Sequence, residues 1–156
     1  MPPSETGADT VRWSLDDLYD DPDALKEDLT AVDADAERFA ERYRGRIAEL
    51  GPEALAEALD SLGAIHDALG RAQAYAFLHW ATDTNDGARG ALRQWVQERV
   101  DRIQQRLLFM ETEWVDLSKE RVEELLAHDA LADYRHYLET EHLRKEHVLS
   151  EAEEKV

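Results

Sequence analysis

The sequence predicts an all-α protein, an antiparallel bundle of long helices, and two observations support this prediction. Apolar residues recur at spacings of three and four over most of the chain, which is the period of one helix face. β-branched residues are few and scattered, and no stretch alternates apolar and polar residues for long. The 156 residues, of which 43% are hydrophobic, are enough to bury a core.

The start of the chain is expected to comprise a tail and a short turn. Residues 1–11 are expected to form a flexible N-terminal tail, and residues 12–149 a helical domain. In the stretch "RWSLDDLYDD", Ser14 is a candidate N-cap with Asp17 at the capping-box distance, so a short helical turn is expected before Pro22. The apolar residues expected to anchor this turn on the helical body are Trp13, Leu15 and Leu18.

Two long helices are predicted next. Pro22 suits a first helical position, with Asp20 or Asp21 as the cap, because the N–H that proline lacks would be unpaired there. Gly51 and Pro52 separate the first helix from the second. The predicted apolar faces are Leu25, Leu29, Val32, Ala36, Phe39, Ala40 and Tyr43 in the first helix, and Leu55, Leu59, Leu62, Ile65, Leu69, Ala72, Ala76 and Trp80 in the second.

Two glycines lie inside the second helix pattern. Glycine costs about 1 kcal/mol relative to alanine in a helix interior. Close approach of a neighbouring helix, or a local break, is therefore expected at Gly63 and Gly70.

A third helix has the most regular pattern in the chain. The loop "TDTNDG" precedes it, and Asp86 is its candidate cap. The helix should be roughly 40 Å long at 1.5 Å per residue. Its apolar stripe is Leu92, Trp95, Val96, Val100, Ile103, Leu107, Met110 and Trp114. Trp80, Trp95 and Trp114, together with Trp13, are expected to face the core.

Shorter helices are predicted in the last part of the chain. Ser118 is the expected cap of a helix containing Val122, Leu125 and Leu126, and "DALADYRHYLETEHLR" predicts another. The inward residues of that second helix are expected to be Leu131, Tyr134, Tyr137 and Leu138. Short connections favour antiparallel neighbours.

The end of the sequence carries a further helix signal. Ser150 and Glu153 have the spacing of a capping box, so a helix is expected to start at residue 150 and run through 156. Two turns with little apolar surface are marginally stable alone. We therefore expect residues 150–156 to be the start of a helix that continues into a region missing from this sequence.

Composition narrows the classes of partner. The formal net charge is -18, and this charge would repel phosphate backbones and anionic lipid surfaces, so we expect neither nucleic acid nor membrane as a partner. The N-terminus lacks the basic and apolar regions of a signal peptide, and the chain has no cysteine. A cytoplasmic location is the default expectation. The acidic excess is typical of a solvated helical surface, with a cationic partner as the alternative.

Residues that could ligate metals are present, but their spacing is unfavourable. His142 and His147 are five residues apart, so they point to different faces of a helix, and His136 is six residues from His142. The stretch 83–87 resembles the start of a calcium loop, but the spacing between its acidic residues does not match such a loop. A turn is therefore the preferred interpretation. A second group of acidic residues lies near a helix start, where the helix dipole explains them: Asp16, Asp17, Asp20, Asp21 and Asp23.

The sequence predicts no catalytic, cofactor-binding or metal-binding residue. Ser-His-Asp order, GxSxG, glycine-rich phosphate loops and cysteine nucleophiles are absent. His66 and His79 lie beside apolar stripes and are interpreted as core or boundary residues rather than ligands. Core packing is also the preferred interpretation of the tryptophans, with a ligand cage as the alternative.

The order of several local signatures resembles a known family. The stretches are "RWSLDDLY", "YRGRI", "LGRAQAYAFLHWATDTND", "LLFMETEW" and "YRHYLETEHLRKEHVLSEAEEKV". In sequence and spacing they resemble, over residues 12–156, the N-terminal region of oligoendopeptidase F, which belongs with the thimet-oligopeptidase-like zinc metallopeptidases. Glu146 departs from the pattern, since relatives commonly have proline before the histidine.

The resemblance implies the N-terminal helical domain of a larger helical peptidase. Such a hydrolase encloses a deep channel and cleaves short peptides with zinc, which is held by HExxH and a downstream glutamate beyond the matched region. No residue here corresponds to a ligand or to the catalytic glutamate. The implied role is a channel wall that selects substrates by size, and this truncated, acidic chain is expected to bind no zinc and to be inactive alone.

Two alternatives and several partners stay open at this point. The alternatives are a stand-alone helical interaction module without enzymatic activity, and a metal-binding bundle, which the ligand spacing disfavours. The partners implied for the parent enzyme are short peptide substrates and the missing catalytic region. Self-association through an uncovered apolar face is also expected, because a helical domain separated from its neighbour exposes that face.

Overall fold

The computed structural model describes residues 14–153, with side chains over residues 14–144. Within this part the chain is all-helical and contains no strand, which confirms the predicted fold class. The α-helices are α1 (Pro22–Tyr43), α2 (Pro52–Ala81), α3 (Gly87–Val115), α4 (Lys119–Leu126) and α5 (Arg135–Glu153). Short 3₁₀ helices occupy Ile47–Glu49 and Asp129–Tyr134. The expected tail at residues 1–11 and the anchor Trp13 lie outside the described residues.

The predicted caps fix where three helices begin. Asp21 accepts a hydrogen bond from the N–H of Ala24, and Pro22 is the first residue of α1. Asp86 accepts from the N–H groups of Ala88 and Arg89 at the start of α3. Ser118 caps α4 through the N–H of Arg121. In each case a side-chain oxygen pairs with a backbone donor that the helix itself leaves unsatisfied.

Ion pairs between side chains show how the three long helices run. Arg71 pairs with Asp28, and Arg42 pairs with Glu57, so α1 and α2 are antiparallel. The Gln73–Gln97 hydrogen bond joins α2 to α3, whose N-terminus lies beside the end of α2. The first three helices therefore run up, down and up.

The core lies where α1, α2 and α3 meet, and α4 and α5 extend it at one end. Every buried side chain in the described range belongs to a hydrophobic residue type. The predicted stripe of α3 is buried except at Trp95, and the predicted face of α2 is buried except at Trp80. Both tryptophans are half-buried, whereas Trp114 is 2% exposed.

The expectation for the glycines of α2 was wrong. The helix continues without a break through Gly63 and Gly70, and both residues are exposed. A Cβ added at either position would meet no atom within 4 Å. Both glycines lie on the solvent side of α2, so no neighbouring helix requires them.

The last part of the chain differs from the sequence prediction in two places. Residues 129–134 form a separate 3₁₀ helix before α5, and of the predicted inward residues Leu131 and Leu138 are buried, whereas Tyr137 is 48% exposed. The helix predicted to start at Ser150 does not start there, because the backbone of α5 is already helical through that residue to Glu153. An N-cap residue needs a non-helical backbone. Continuation beyond residue 153 stays a prediction.

Candidate functional site

A groove with a volume of about 230 Å³ opens between α2, α3 and α5. It combines an apolar floor with several polar groups at its sides, the usual composition of a binding site. Two of its apolar side chains are unusually accessible, Leu108 at 53% and Tyr137 at 48% exposed. The lining residues are Leu59, Leu62 and His66 of α2; Gln104, Leu107, Leu108, Met110, Glu111 and Trp114 of α3; and Tyr137, Leu138 and Glu141 of α5.

Trp114 holds α5 beside α3 and so determines the shape of the groove. Its indole Nε1 donates a hydrogen bond of 3.0 Å to the backbone carbonyl of Leu138, and both side chains are almost fully buried. Burial of a tryptophan requires a partner for the indole N–H. The two helices run in opposite directions from this contact, which brings Glu111 of α3 next to Glu141 of α5.

Glu111 and Glu141 form a pair of carboxyl groups at the side of the groove. Partial burial raises the pKa of Glu111, and the hydrogen bond and charge repulsion from Glu141 raise it further, while Arg144 acts in the opposite direction. Arg144 Nη1 lies 3.2 Å and 3.4 Å from the two carboxyl oxygens of Glu141. A carboxyl group with a second carboxyl group beside it is harder to ionise.

Two further titratable groups border the pair. Burial raises the pKa of the Tyr137 hydroxyl, with smaller contributions from the negative charges of Glu141 and Glu111. The hydroxyl is therefore neutral at pH 7. His66 lies across the groove on α2 and is exposed. The arrangement can accept hydrogen bonds and bind positive charge.

The histidines whose side chains the structure describes do not converge on a metal site. His142 Nε2 lies 3.1 Å from the carbonyl oxygen of Leu117, so this nitrogen is occupied by a backbone contact. His136 is exposed, and the side chain of His147 is outside the described residues. Within residues 14–144 no group of three or more His, Asp or Glu side chains is placed to hold a metal ion.

The two acidic stretches serve helix capping. In the 83–87 loop, Asp83 Oδ1 accepts a hydrogen bond of 3.1 Å from the N–H of Asn85, and Asp86 caps α3. Hydrogen bonds from the N–H groups of Ala88 and Arg89 lower the pKa of Asp86. In the earlier stretch, Asp21 caps α1. The interpretation of both stretches as turns and helix starts is therefore supported.

His79 is a boundary residue at the end of α2. Its ring stacks on Tyr75 with a centroid distance of 5.5 Å. Burial lowers the pKa of His79, and the nearby positive charge of Arg89 lowers it further. Arg89 also donates a 3.0 Å hydrogen bond to the carbonyl of His79, which fixes the α2–α3 corner.

A protein-family model matches the last part of the chain. Residues 113–156 match the family model described as oligopeptidase F. The match covers the end of α3, all of α4 and α5, and the 3₁₀ helix between them. It confirms the resemblance to the N-terminal region of oligoendopeptidase F over these residues and supports an origin in that peptidase family. No curated protein and no solved structure matched the chain.

The zinc that the oligopeptidase F resemblance implies does not fit the side chains described here. Zinc sites need three or four converging N, O or S ligands. The groove offers Glu111 and Glu141 from neighbouring helices, but no third ligand converges with them among residues 14–144.

The groove itself was not predicted from the sequence. Glu111 and Glu141 are 30 positions apart in the sequence, and neither belongs to a recognisable motif. Their juxtaposition depends on the antiparallel packing of α3 and α5. In the sequence they look like two of many surface glutamates.

Proposed function

We propose that this chain is the N-terminal helical part of an oligoendopeptidase F-like zinc metalloendopeptidase that hydrolyses short peptides. The oligopeptidase F match at residues 113–156 carries the proposal. The all-helical fold is compatible with it. In the parent enzyme this part forms a wall of the substrate channel and limits entry to short, unfolded peptides in the cytoplasm.

The chain does not hydrolyse peptides by itself under this proposal. Zinc peptidases of the resembled type need HExxH, in which zinc activates water and the glutamate takes its proton. The sequence contains no HExxH. Its contribution in the parent enzyme is structural support and size selection, and the missing catalytic region is its partner.

The first test is to determine the coding sequence beyond the codon for Val156. Under the proposal it continues in frame to HExxH and a downstream glutamate. The complete protein should then cleave short fluorogenic peptides. It should not cleave a folded protein that has the same amino-acid composition as those peptides. A continuation without these motifs would contradict the proposal. Hydrolysis by the zinc-supplemented 156-residue chain alone, if abolished by a chelator, would contradict its inactivity.

The second candidate is a stand-alone helical interaction module, in which exposed apolar side chains would contact a binding partner. These are Phe77, Leu78, Leu108, Tyr137 and Leu143, each between 42% and 55% exposed. The same side chains would contact later helices in the parent enzyme. Sedimentation and urea unfolding distinguish the two: a module should be a cooperatively folded monomer, whereas a separated domain should self-associate or have low stability.

A further inference from the structure

The groove between α2, α3 and α5 has the size of a side-chain recognition site. Its volume of about 230 Å³ is below the roughly 300–1,000 Å³ typical of small-molecule sites. The floor is formed by Leu59, Leu62 and Leu107, and Leu108 remains 53% exposed at the edge. A few apolar side chains from one helical segment would fill such a groove, as in helix-in-groove recognition.

The charges facing the groove select a cationic occupant. Glu111 and Glu141 both line it, and the basic group among its lining side chains is the exposed imidazole of His66. Arg144 pairs with Glu141, but its side chain is 69% exposed. One cation therefore neutralises this pair only in part, and a second cation would relieve the repulsion between the two carboxylates.

We propose that this groove docks a helical segment of a partner protein that carries a lysine or arginine beside its apolar face. The apolar residues cover Leu108 and Tyr137, and the basic side chain lies between Glu111 and Glu141. A second copy of this chain is a poorer occupant, because each copy has a net charge of -18. The groove has these properties whether or not the chain forms a channel wall.

Binding of the basic side chain should depend on pH through the carboxyl group of Glu111. Burial and the neighbouring Glu141 raise the pKa of Glu111, and a cation at the pair favours its ionised form. The affinity should therefore rise as pH rises through the pKa of Glu111. Tyr137 stays neutral over this range, since its pKa is also raised.

The test uses the 156-residue chain and two fluorescein-labelled amphipathic peptides. Both have the same leucine and alanine pattern, and one residue beside the apolar stripe is lysine in the first peptide and glutamine in the second. Binding is measured by fluorescence anisotropy in physiological salt. The lysine peptide should bind about tenfold more tightly, as expected for a charge-assisted contact at a partly desolvated site.

Two variants locate the site. Glu111→Gln keeps a hydrogen-bonding group facing Glu141 and should remove most of the difference between the peptides. Leu108→Ser should weaken both peptides. Glu98→Gln is the matched control, since it makes the same charge change on an exposed face of α3 outside the groove and should leave binding unchanged. Circular dichroism and thermal melting confirm that each variant is folded.

Three results would overturn the proposal. Equal affinities of the two peptides for the unmodified chain would exclude recognition of the basic residue. An equal loss with Glu98→Gln and Glu111→Gln would show attraction to the net charge alone. A dimer that Leu108→Ser converts to monomer would identify a second copy as the occupant.

Discussion

Individual carboxyl groups in this protein have different roles according to the groups they face. Asp86 is held ionised, because two backbone N–H groups at the start of α3 hydrogen-bond to it and lower its pKa. Glu111 faces a second carboxyl group on α5, and its pKa is raised. The same residue chemistry therefore stabilises a helix start in one place and produces an unfavourable charge pair in the other.

Glu111→Gln is expected to make the stability less dependent on pH. The folded-state pKa of Glu111 lies above its unfolded value, so the folded protein binds the proton more tightly. The stabilisation from the bound proton is complete below the unfolded pKa and is lost as pH rises through the folded pKa. Above that pKa the glutamine variant should be more stable, by less than about 1 kcal/mol, because solvent screens an exposed carboxyl group.

Urea unfolding of both proteins between acidic and neutral pH measures this difference. The two stabilities should converge below the ordinary range of a glutamate pKa. The groups that face the site are Glu141, Arg144 and Tyr137 of α5 and His66 of α2. Glu98→Gln is again the control. A constant difference across the pH range would contradict the raised pKa of Glu111.

At the scale of the helices, one aspartate couples α1 to α3. The side chain of Asp33 is 17% exposed and accepts hydrogen bonds from Arg106 Nη1 at 2.5 Å and Arg99 Nη1 at 3.2 Å. Both arginines lie on α3, seven residues apart, so a single carboxylate contacts side chains about two turns apart on that helix. Arg106 also donates a 3.1 Å hydrogen bond to the carbonyl of Asp33.

Asp33→Ala should lower the free energy of unfolding by about 1–2 kcal/mol. This value lies between the small contribution of exposed ion pairs and the 3–5 kcal/mol lost when a buried pair is broken. Asp35→Ala is the matched control, because its ion pair with Arg38 is on the surface of α1 and its side chain is 52% exposed. That variant should change stability by less than about 0.5 kcal/mol. Equal effects would exclude the inter-helix role of Asp33.

At the scale of the whole molecule, acidic residues outnumber basic ones by two to one. There are 36 Asp and Glu residues against 18 Lys and Arg, which gives the net charge of -18. The ion pairs of the described side chains use only part of this negative charge. Repulsion among the remaining carboxylates opposes the compact state. In the described residues no helix is sufficiently long and apolar to cross a membrane.

Sodium chloride is therefore expected to raise the melting temperature. Salt screens the general repulsion among exposed charges more effectively than it screens partly buried pairs such as Asp33–Arg106. Thermal unfolding at low and high sodium chloride tests this expectation, and sedimentation under the same conditions detects any self-association. A lower melting temperature at high salt would mean that attractive ion pairs dominate the electrostatic free energy.

The sequence by itself determined the helical fold, most helix starts and the family resemblance. These features are local: apolar residues at three- and four-residue spacing define a helix face, and Asp21, Asp86 and Ser118 act on backbone groups within three residues. That this chain has no catalytic, cofactor-binding or metal-binding residue stays a prediction.

Only the tertiary structure decided which residues share a surface. Trp80 and Trp95 are half-buried because helix packing, rather than hydrophobicity alone, determines burial, and Gly63 and Gly70 face solvent for the same reason. Tyr137 is exposed although its neighbour Leu138 is buried. The carboxyl pair and its groove likewise require α3 and α5 to pack side by side, and such contacts between distant residues leave no periodic signal in the sequence.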